Sequence, residues 1–403
     1  MNRPITAPRA AYDRYFDTAW DRAWFSNGGP LVSEFEKRLS AYLEVEHAVV
    51  VCNATLGLSL LIQALELTGE VILPSYTFIS SANVLKAAGV KPVHCDIRSA
   101  DMNIDPEACA ALITPRTSAV VATHIWGAPC DTSALQAICD DAGIALVYDA
   151  AHAFGVRHQG RPIGGFGRAE VFSLHATKVL QAFEGGVVTT DDGALADRLR
   201  LLRNFGFSGV DRVEIAGVNA KMSESHAAMG LANLDMIGET LAANRRRHEL
   251  YADELAGIAG LRFHQPAPGA SSNHHYAVAE IDADIFGLDR DGVVDLLFAE
   301  NVLARRYFYP GGHRSIPHLP ESGAPAALPV TEMVCERVLV LPAGAAIALE
   351  DVRAICGLIR SIAAHAPELA ARLSDTGASR RRSARPDQVA PPGFSKPRTG
   401  SKP

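Results

Sequence analysis

The chain has 403 residues, of which 48% are hydrophobic, and it carries a formal net charge of −7. This length predicts two or three domains, and the hydrophobic share suffices for a sizeable core. The negative charge gives no reason to expect a nucleic-acid partner, and the absence of any run of about eighteen apolar residues gives none to expect a membrane span.

The cysteines indicate the compartment in which the protein works. There are seven of them, scattered along the chain and without a CxxC pair. An odd number without metal-ligand spacing is typical of a reducing compartment rather than of a disulfide framework or a zinc site. The first residues also lack the apolar segment of a signal peptide. We therefore expect a cytoplasmic protein with no metal centre.

The chain begins with a predicted N-terminal arm, residues 1–30, which carries Trp24 and Phe25 before a turn rich in glycine. A helix is predicted next, because Leu31, Phe35 and Leu39 recur at helical spacing.

A first strand, AVVVC, is followed by a turn of small residues and an apolar helix. Ala54 and Thr55 lie at this turn. A strand, a tight turn and a helix N-terminus form an anion site, because unpaired backbone N–H groups and the positive end of the helix dipole face the ligand. The alternative is that the turn only caps the helix.

Short β-runs then alternate with helical stretches and few tight hairpins, which predicts a parallel or mixed sheet covered by helices on both faces. His124 and Trp126 follow the end of one such strand. A strand end is where a site is expected, but we favour a structural role for both residues.

The run IALVY predicts a buried parallel strand, which ends at Asp149 in the segment VYDAAHAFG. In α/β folds the functional groups lie at the carboxyl ends of the strands. His152 follows three residues later and is predicted to lie beside Asp149 in the site.

Two further β-runs, AEVFSL and GVVTT, flank a loop that carries Ser173, His175 and Lys178. A lone lysine in such a loop is most often a surface residue. A lysine held between buried strands is instead favoured where its amine must be neutral to form a Schiff base. Pyridoxal 5′-phosphate needs such a lysine at its aldehyde and a carboxylate at its pyridine nitrogen. Lys178 and Asp149 fit this pair.

After the N-terminal arm, the chain divides into three predicted parts. The large cofactor domain is expected to span residues 31–240, and a smaller α+β domain residues 241–370. Residues 376–403 hold seven Lys or Arg against one Asp and almost no large apolar residues. Such a segment cannot offset its ordering entropy, so we expect a disordered basic tail.

Seven segments between about residues 20 and 365 occur in the order found in one enzyme family. The sequence resembles the DegT/DnrJ/EryC1/StrS aminotransferases. The resemblance implies an α/β fold of the PLP-dependent transferase fold type I, similar to aspartate aminotransferase, with a large mixed-sheet domain and a smaller α+β C-terminal domain. The matching segments are FSNGGPLVSEFEKRL, CNATLGL, LPSYTFISSANVL, THIWGAPCD, YDAAHAFG, FSLHATK with EGGVVTT, and NAKMSESHAAMG.

The resemblance also implies roles for individual residues. Phe78 is expected to stack on the cofactor ring, with a plain core aromatic as the alternative. Asn219 matches an asparagine that reaches the phosphate across a dimer interface, with a helix cap as the alternative. Where the family has a Gly-Thr pair, this chain has Ala54 and Thr55, and the backbone amides remain. The implied catalytic residues are Lys178, Asp149 and His152, and the implied cofactor-binding residues are Ala54, Thr55, Phe78, Asp149, His152, Ser173, His175, Lys178 and Asn219.

The implied activity is transamination of a nucleotide-linked keto-sugar, closest to the subgroup that makes 4-amino-4,6-dideoxy sugars on a dTDP carrier. The implied cofactor is pyridoxal 5′-phosphate, the amino donor is glutamate or glutamine, and the enzyme is a homodimer with a shared active site. The segment ARRYFYPGGH resembles the border of the sugar-nucleotide pocket. We nevertheless favour a structural role for its polar residues, Arg305, Arg306, Tyr309 and His313.

Three other functions fit parts of the sequence. A pyridoxamine-dependent deoxygenase or dehydratase is disfavoured, because the family's best-known example has a histidine where this chain has Lys178, and because no iron–sulfur cysteine cluster is present. A regulatory protein with a non-catalytic PLP fold is disfavoured by the retention of Lys178, Asp149, His152 and Ser173. An aminotransferase of a 3-keto sugar or a keto-cyclitol stays open.

Overall fold

The computed structural model describes residues 4–267, 269–318, 325–344 and 347–375. The predicted basic tail, residues 376–403, lies outside the described residues. None of the helices within the described ranges is long and apolar enough to cross a membrane.

The larger sheet has seven strands in the order β1-β9-β8-β5-β4-β2-β3. Neighbouring strands pair in parallel from β3 to β8, whereas β9 pairs antiparallel with both β8 and β1. A two-stranded hairpin of β6 and β7 lies between β5 and β8 in the chain. The strands are β1 His47–Val51, β2 Glu70–Pro74, β3 Lys91–Cys95, β4 Thr117–Thr123, β5 Ala145–Asp149, β6 Arg157–His158, β7 Arg161–Pro162, β8 Ala169–Ser173 and β9 Gly186–Thr190.

Helices cover both faces of this sheet, as the alternation of strands and helices predicts. Side chains alternate between two cores along each strand: on β5, Leu146 and Tyr148 belong to one core and Val147 to the other. The helices are α1 Arg9–Asp21, α2 Pro30–Leu43, α3 Ala54–Ala64, α4 Ser80–Ala87, α5 Pro106–Ala111, α6 Thr132–Ala142, α7 Gly193–Leu202 and α8 Glu224–Asp235, with a 3₁₀ turn at Ile125–Gly127.

The predicted N-terminal arm contains helix α1, which lies against α8. The backbone N–H of Ala7 donates to the side-chain oxygen of Asn233 at 2.9 Å, and Gln181 donates to the carbonyl oxygen of Ile5 at 2.7 Å. The Tyr15 hydroxyl donates to Asp235 at 2.9 Å. The arm is therefore held along the large domain by polar contacts of its backbone and its helix.

The nineteen-residue helix α9, Ile237–Leu255, leads to a three-stranded antiparallel sheet of order β10-β11-β12. Its Ile237 belongs to a core of the large sheet, and its Tyr251 to the separate core of the second unit. The remaining elements are β10 Leu261–Phe263, β11 Ala277–Ile281, α10 Ala283–Phe286, α11 Arg290–Ala299, α12 Pro329–Arg337, β12 Val338–Leu341, α13 Leu349–Ala364 and α14 Ala366–Asp375, with 3₁₀ turns at Gly312–Arg314 and Ile316–His318.

This architecture confirms the predicted fold class, a large mixed sheet with a smaller α+β unit. The predicted boundary between residues 240 and 241 falls inside α9, which contributes to both units. The exact domain limits stay a prediction.

The register of the large sheet brings the ends of several strands to the same edge. Asp149 at the end of β5 lies opposite Thr123 of β4 and Val171 of β8. Ser173 at the end of β8 lies opposite Gly186 at the start of β9. The loops that leave these strands therefore share one edge of the sheet, where ligands of α/β folds bind.

Candidate active site

A cavity of about 330 Å³ opens at this edge of the large sheet, between it and the smaller unit. Eight of the nine predicted cofactor-binding residues line it: Ala54, Thr55, Phe78, Asp149, His152, Ser173, His175 and Lys178. Asn219 does not; it is exposed, and its backbone bridges to Asn204. Its alternative role as a helix cap is not seen either, because Ser223 caps α8.

Asp149 holds a fixed carboxylate at the end of β5 and is only 5% exposed. One carboxylate oxygen accepts from the Ser81 hydroxyl at 2.8 Å, and the other accepts from the backbone N–H of Ala151 at 3.0 Å. Two donors on different elements fix both the position and the rotation of the group.

Lys178 extends into the same cavity from the loop between β8 and β9. Burial lowers the pKa of its amine to about 8, and the negative charge of Asp149 partly opposes this shift. The amine donates a hydrogen bond to the Tyr276 hydroxyl at 3.0 Å. Roughly a tenth of the amine is therefore neutral at pH 7, far more than for an ordinary lysine, and the neutral form is the one a nucleophilic lysine requires.

His152 presents a neutral ring to the cavity. Burial lowers its pKa well below the usual value, and the positive charge of Lys178 lowers it further. The ring stacks on Trp126 with centroids 5.5 Å apart and planes 10° apart. Its Nδ1 accepts from the backbone N–H of Trp126 at 3.3 Å. Trp126 therefore fixes the orientation of the His152 ring from the side that faces away from the cavity.

The other end of the cavity is the predicted anion site. Asn53 caps α3 by accepting from the N–H of Leu56 at 2.8 Å, and Ala54 and Thr55 are the first two helical residues. Their N–H groups have no acceptor inside the helix. The cap is therefore observed at Asn53, and the next two residues line the cavity, where anion binding stays a prediction.

Gly186 allows the strand β9 to pass beside this turn. A Cβ atom on Gly186 would lie 2.6 Å from the backbone nitrogen of Ala54, closer than real Cβ atoms come. The close approach brings Ser173, the strand partner of Gly186, to the anion site. Phe78, which is 54% exposed, lies on the cavity wall.

His175 lies at the rim of the cavity and is exposed. Its Nδ1 is 2.9 Å from the Thr177 hydroxyl, and its Nε2 is 3.6 Å from the Glu184 carboxylate. These contacts place its ring toward solvent rather than deep in the site.

Comparison with known proteins agrees with this geometry. The model of the DegT/DnrJ/EryC1/StrS aminotransferase family matches residues 9–360. The chain belongs to this family. Family membership makes the protein an aminotransferase and implies pyridoxal phosphate as its cofactor.

The chain is similar in sequence or structure to several named enzymes. The dTDP-4-amino-4,6-dideoxy-D-glucose transaminase of Shigella dysenteriae is 34% identical over 310 residues, which are 77% of this chain and 84% of that protein. The GDP-perosamine synthase of Vibrio cholerae is 29% identical over 352 residues, 86% of this chain and 95% of that protein. The crystal structure of DesI, determined in the presence of its TDP-sugar product, is 47% identical, with a TM-score of 0.89 over 93% of this chain and 95% of DesI.

The segment that resembles the family's sugar-nucleotide border contributes unequally to the cavity. Arg305 lines it, together with Tyr307 and Phe308. Arg306 instead lies 3.2 Å from Asp291, and His313 is buried, 2.6 Å from the Ser75 hydroxyl. These contacts of His313 and Arg306 agree with the structural role favoured from the sequence, whereas Arg305 lines the cavity.

The favoured structural roles of His124 and Trp126 agree with the structure. The His124 ring is fully buried, stacks on Tyr148 at 4.5 Å and accepts from the N–H of Cys130 at 3.0 Å. Trp126 supports His152 from behind. Neither residue lines the cavity.

Sequence reasoning missed two residues that contact the predicted catalytic pair, Ser81 and Tyr276. Ser81 could have been suspected, because the segment LPSYTFISS follows a strand that ends at the same sheet edge. Tyr276 had no such signal, because HHYAVAEI predicts only a strand of the smaller domain.

Proposed function

We propose that the protein is a pyridoxal phosphate-dependent transaminase that converts a nucleotide-linked keto-sugar to the amino sugar. The proposed substrate is a dTDP-4-keto-6-deoxyhexose, and the amino donor is glutamate or glutamine. The observation that carries the proposal is the arrangement of Asp149, Lys178 and the N-terminus of α3 around one cavity.

The residues of the cavity fit pyridoxal phosphate by their chemistry. The cofactor has a basic ring nitrogen, an aldehyde and a phosphate. Asp149 offers a carboxylate for the nitrogen, Lys178 an amine for the aldehyde, and the amides of Ala54 and Thr55, with the Ser173 hydroxyl, offer donors for the phosphate. The rings of Phe78 and His152 supply flat faces for the pyridine ring.

Pyridoxal phosphate, when bound, would supply an electron sink for the negative charge that develops at the Cα of the amino donor. The chain supplies the rest. Asp149 would place a negative charge against the ring nitrogen and so keep a proton there. Lys178 would take the proton from the donor's Cα as a general base and deliver it, as a general acid, to the carbon of the cofactor's former aldehyde group, for which a pKa of about 8 is well placed.

Three observations support a nucleotide-sugar substrate. The relatives in Shigella dysenteriae and Vibrio cholerae carry a dTDP-linked amino sugar and GDP-perosamine in their names, and DesI was solved with its TDP-sugar product. Arg305 adds a cation to the part of the cavity wall formed by the smaller unit. A guanidinium there is suited to a phosphate of the nucleotide.

We also propose a cytoplasmic homodimer in which Asn219 reaches the partner's phosphate site. Asn219 is exposed and lies outside the cavity of its own chain. The apolar side chains of Phe205, Phe207 and Val218 are 45%, 40% and 43% exposed around it. Exposed apolar groups clustered in this way are suited to burial against a second copy.

The proposal is tested by turnover of the purified protein. The protein, loaded with pyridoxal phosphate, is incubated with L-glutamate and dTDP-4-keto-6-deoxyglucose, and the products are identified by mass spectrometry. We expect an amino sugar and 2-oxoglutarate, with neither product formed by Lys178→Ala. Full turnover by Lys178→Ala would refute the role of the lysine, and turnover of a GDP-linked sugar or a keto-cyclitol alone would refute the dTDP assignment.

A further inference from the structure

A short segment, residues 273–276, connects the smaller unit to both turns of the candidate active site. The Asn273 side chain donates to the carbonyl oxygen of His152 at 2.7 Å and to that of Phe154 at 3.0 Å. The Nε2 of His275 lies 2.7 Å from the carbonyl oxygen of Thr177. A carbonyl oxygen only accepts, so Nε2 carries the proton and donates. The segment therefore fixes the turn of His152 and the loop of Lys178 relative to each other.

The last residue of this segment, Tyr276, contacts the lysine amine itself. Its hydroxyl accepts from the Nζ atom of Lys178 at 3.0 Å. Within the described part of the chain, this is the amine's one hydrogen bond. The Tyr276 ring lies 5.1 Å from the ring of Trp126 and 4.5 Å from that of His152, so the hydroxyl has little freedom to move.

The hydroxyl can serve the amine in both of its protonation states. Burial raises the pKa of Tyr276, and Tyr307 and Asp149 raise it further, so the hydroxyl keeps its proton at neutral pH. It accepts from the amine when that group is charged and can donate to it when it is neutral. The other titratable groups around the amine are Asp149, His152 and His275.

We infer that Tyr276 is the residue that positions the Lys178 amine for attack, and that the rest of segment 273–276 holds the two catalytic turns in place. The inference rests on the proposed function, in which Lys178 is the amine that bonds the cofactor. It adds a positioning residue that the smaller unit supplies to the large sheet's site.

The test measures capture of pyridoxal phosphate by the full-length protein after the bound cofactor has been removed. In this reaction the neutral amine attacks the aldehyde carbon, the nitrogen replaces the carbonyl oxygen, and water leaves. The rate at which the coloured covalent adduct forms is followed by absorbance across a pH series. The series yields a midpoint, set by loss of the amine's proton, and a limiting rate above it.

The variant Tyr276→Phe keeps the ring and removes the hydroxyl. We expect its midpoint to fall by about one pH unit, because the charged amine loses its acceptor. We expect its limiting rate to fall at least about tenfold, because the neutral amine is no longer held in line. Tyr42→Phe is the matched control; Tyr42 lies outside the cavity, stacked on Phe154, and its hydroxyl bonds none of the described residues. The control should keep both values.

A second variant protects the test against a general loss of structure. His275→Phe removes the bond to Thr177 and leaves the Tyr276 hydroxyl; it should lower the limiting rate with little change in the midpoint. Adduct formation in the parent protein with an unchanged midpoint and limiting rate in Tyr276→Phe would overturn this inference alone. No adduct in the parent protein would overturn the proposed function, and this inference with it.

Discussion

Gly186 offers a sharp test of the predicted phosphate site. A Cβ atom at this position would lie 2.6 Å from the nitrogen of Ala54 and 2.7 Å from the carbonyl carbon of Asn53. Both neighbours are backbone atoms, so they can give way only by moving the turn. In Gly186→Ala the turn must therefore shift, and the amides of Ala54 and Thr55 lose their alignment.

The size of the effect follows from the charge of the ligand. A hydrogen bond to a charged group contributes about 1.5–3 kcal/mol, and each 1.4 kcal/mol is about tenfold in affinity. Loss of one aligned amide should therefore weaken pyridoxal phosphate binding roughly 10- to 150-fold. Overpacking beside the turn should also lower the free energy of unfolding by about 1–3 kcal/mol.

The assay compares binding of pyridoxal phosphate with binding of pyridoxal, which lacks the phosphate. Gly186→Ala should lose affinity for pyridoxal phosphate and keep most of its affinity for pyridoxal. Gly357→Ala is the matched control, because Gly357 lies in α13 of the smaller unit and a Cβ there meets no atom within 4 Å. Equal losses for the two ligands, or no loss for either, would refute the phosphate assignment of this turn.

Three further predictions follow from the geometry of the site. Arg305→Met should raise the KM for the nucleotide sugar about tenfold or more with little change in kcat. Arg306→Met, which loses contacts with Asp291 and the Tyr309 ring, should leave this KM unchanged. A fall in kcat alone for Arg305→Met would contradict this. Ser81→Ala removes one of the two hydrogen-bond donors to Asp149 and should lower kcat about tenfold or more. The variant should still capture pyridoxal phosphate, and an unchanged kcat would contradict the prediction. The free energy of unfolding should fall as the pH drops from about 6.5 to 4. Burial lowers the pKa of His275 in the folded protein to about 4. Over this pH range the unfolded chain therefore binds a proton at His275 that the folded chain does not. Thermal unfolding across this range measures how stability changes with pH, and His275→Phe should reduce that change. A stability that does not change with pH in the parent protein would contradict the prediction.

The sequence predicted those parts of the site that depend on local patterns. Lys178 and Asp149 each follow a recognisable β-run, and parallel strands bring their carboxyl ends to one edge of the sheet. The anion site at Ala54 and Thr55 is likewise a local arrangement of strand, turn and helix. Such features can be predicted without knowing how distant segments pack.

The contacts that the sequence did not predict come from distant segments. Tyr276 meets Lys178 across 98 positions of the chain, and Ser81 meets Asp149 across 68. Neither hydrophobic periodicity nor a short motif indicates which loop of the smaller unit faces which strand end. Asn219 is exposed in the single chain, and the phosphate contact across a dimer interface that the resemblance implies for it stays a prediction.

That Lys178 holds pyridoxal phosphate is tested most directly by locating the cofactor's covalent bond. The full-length protein is mixed with pyridoxal phosphate and treated with borohydride, which makes the bond permanent. It is then digested, and the modified peptide is identified by mass spectrometry. We expect the modification at Lys178, at near one equivalent per chain. Modification spread over other lysines, with Lys178 unmodified, would contradict the assignment of this residue and of the site built around it.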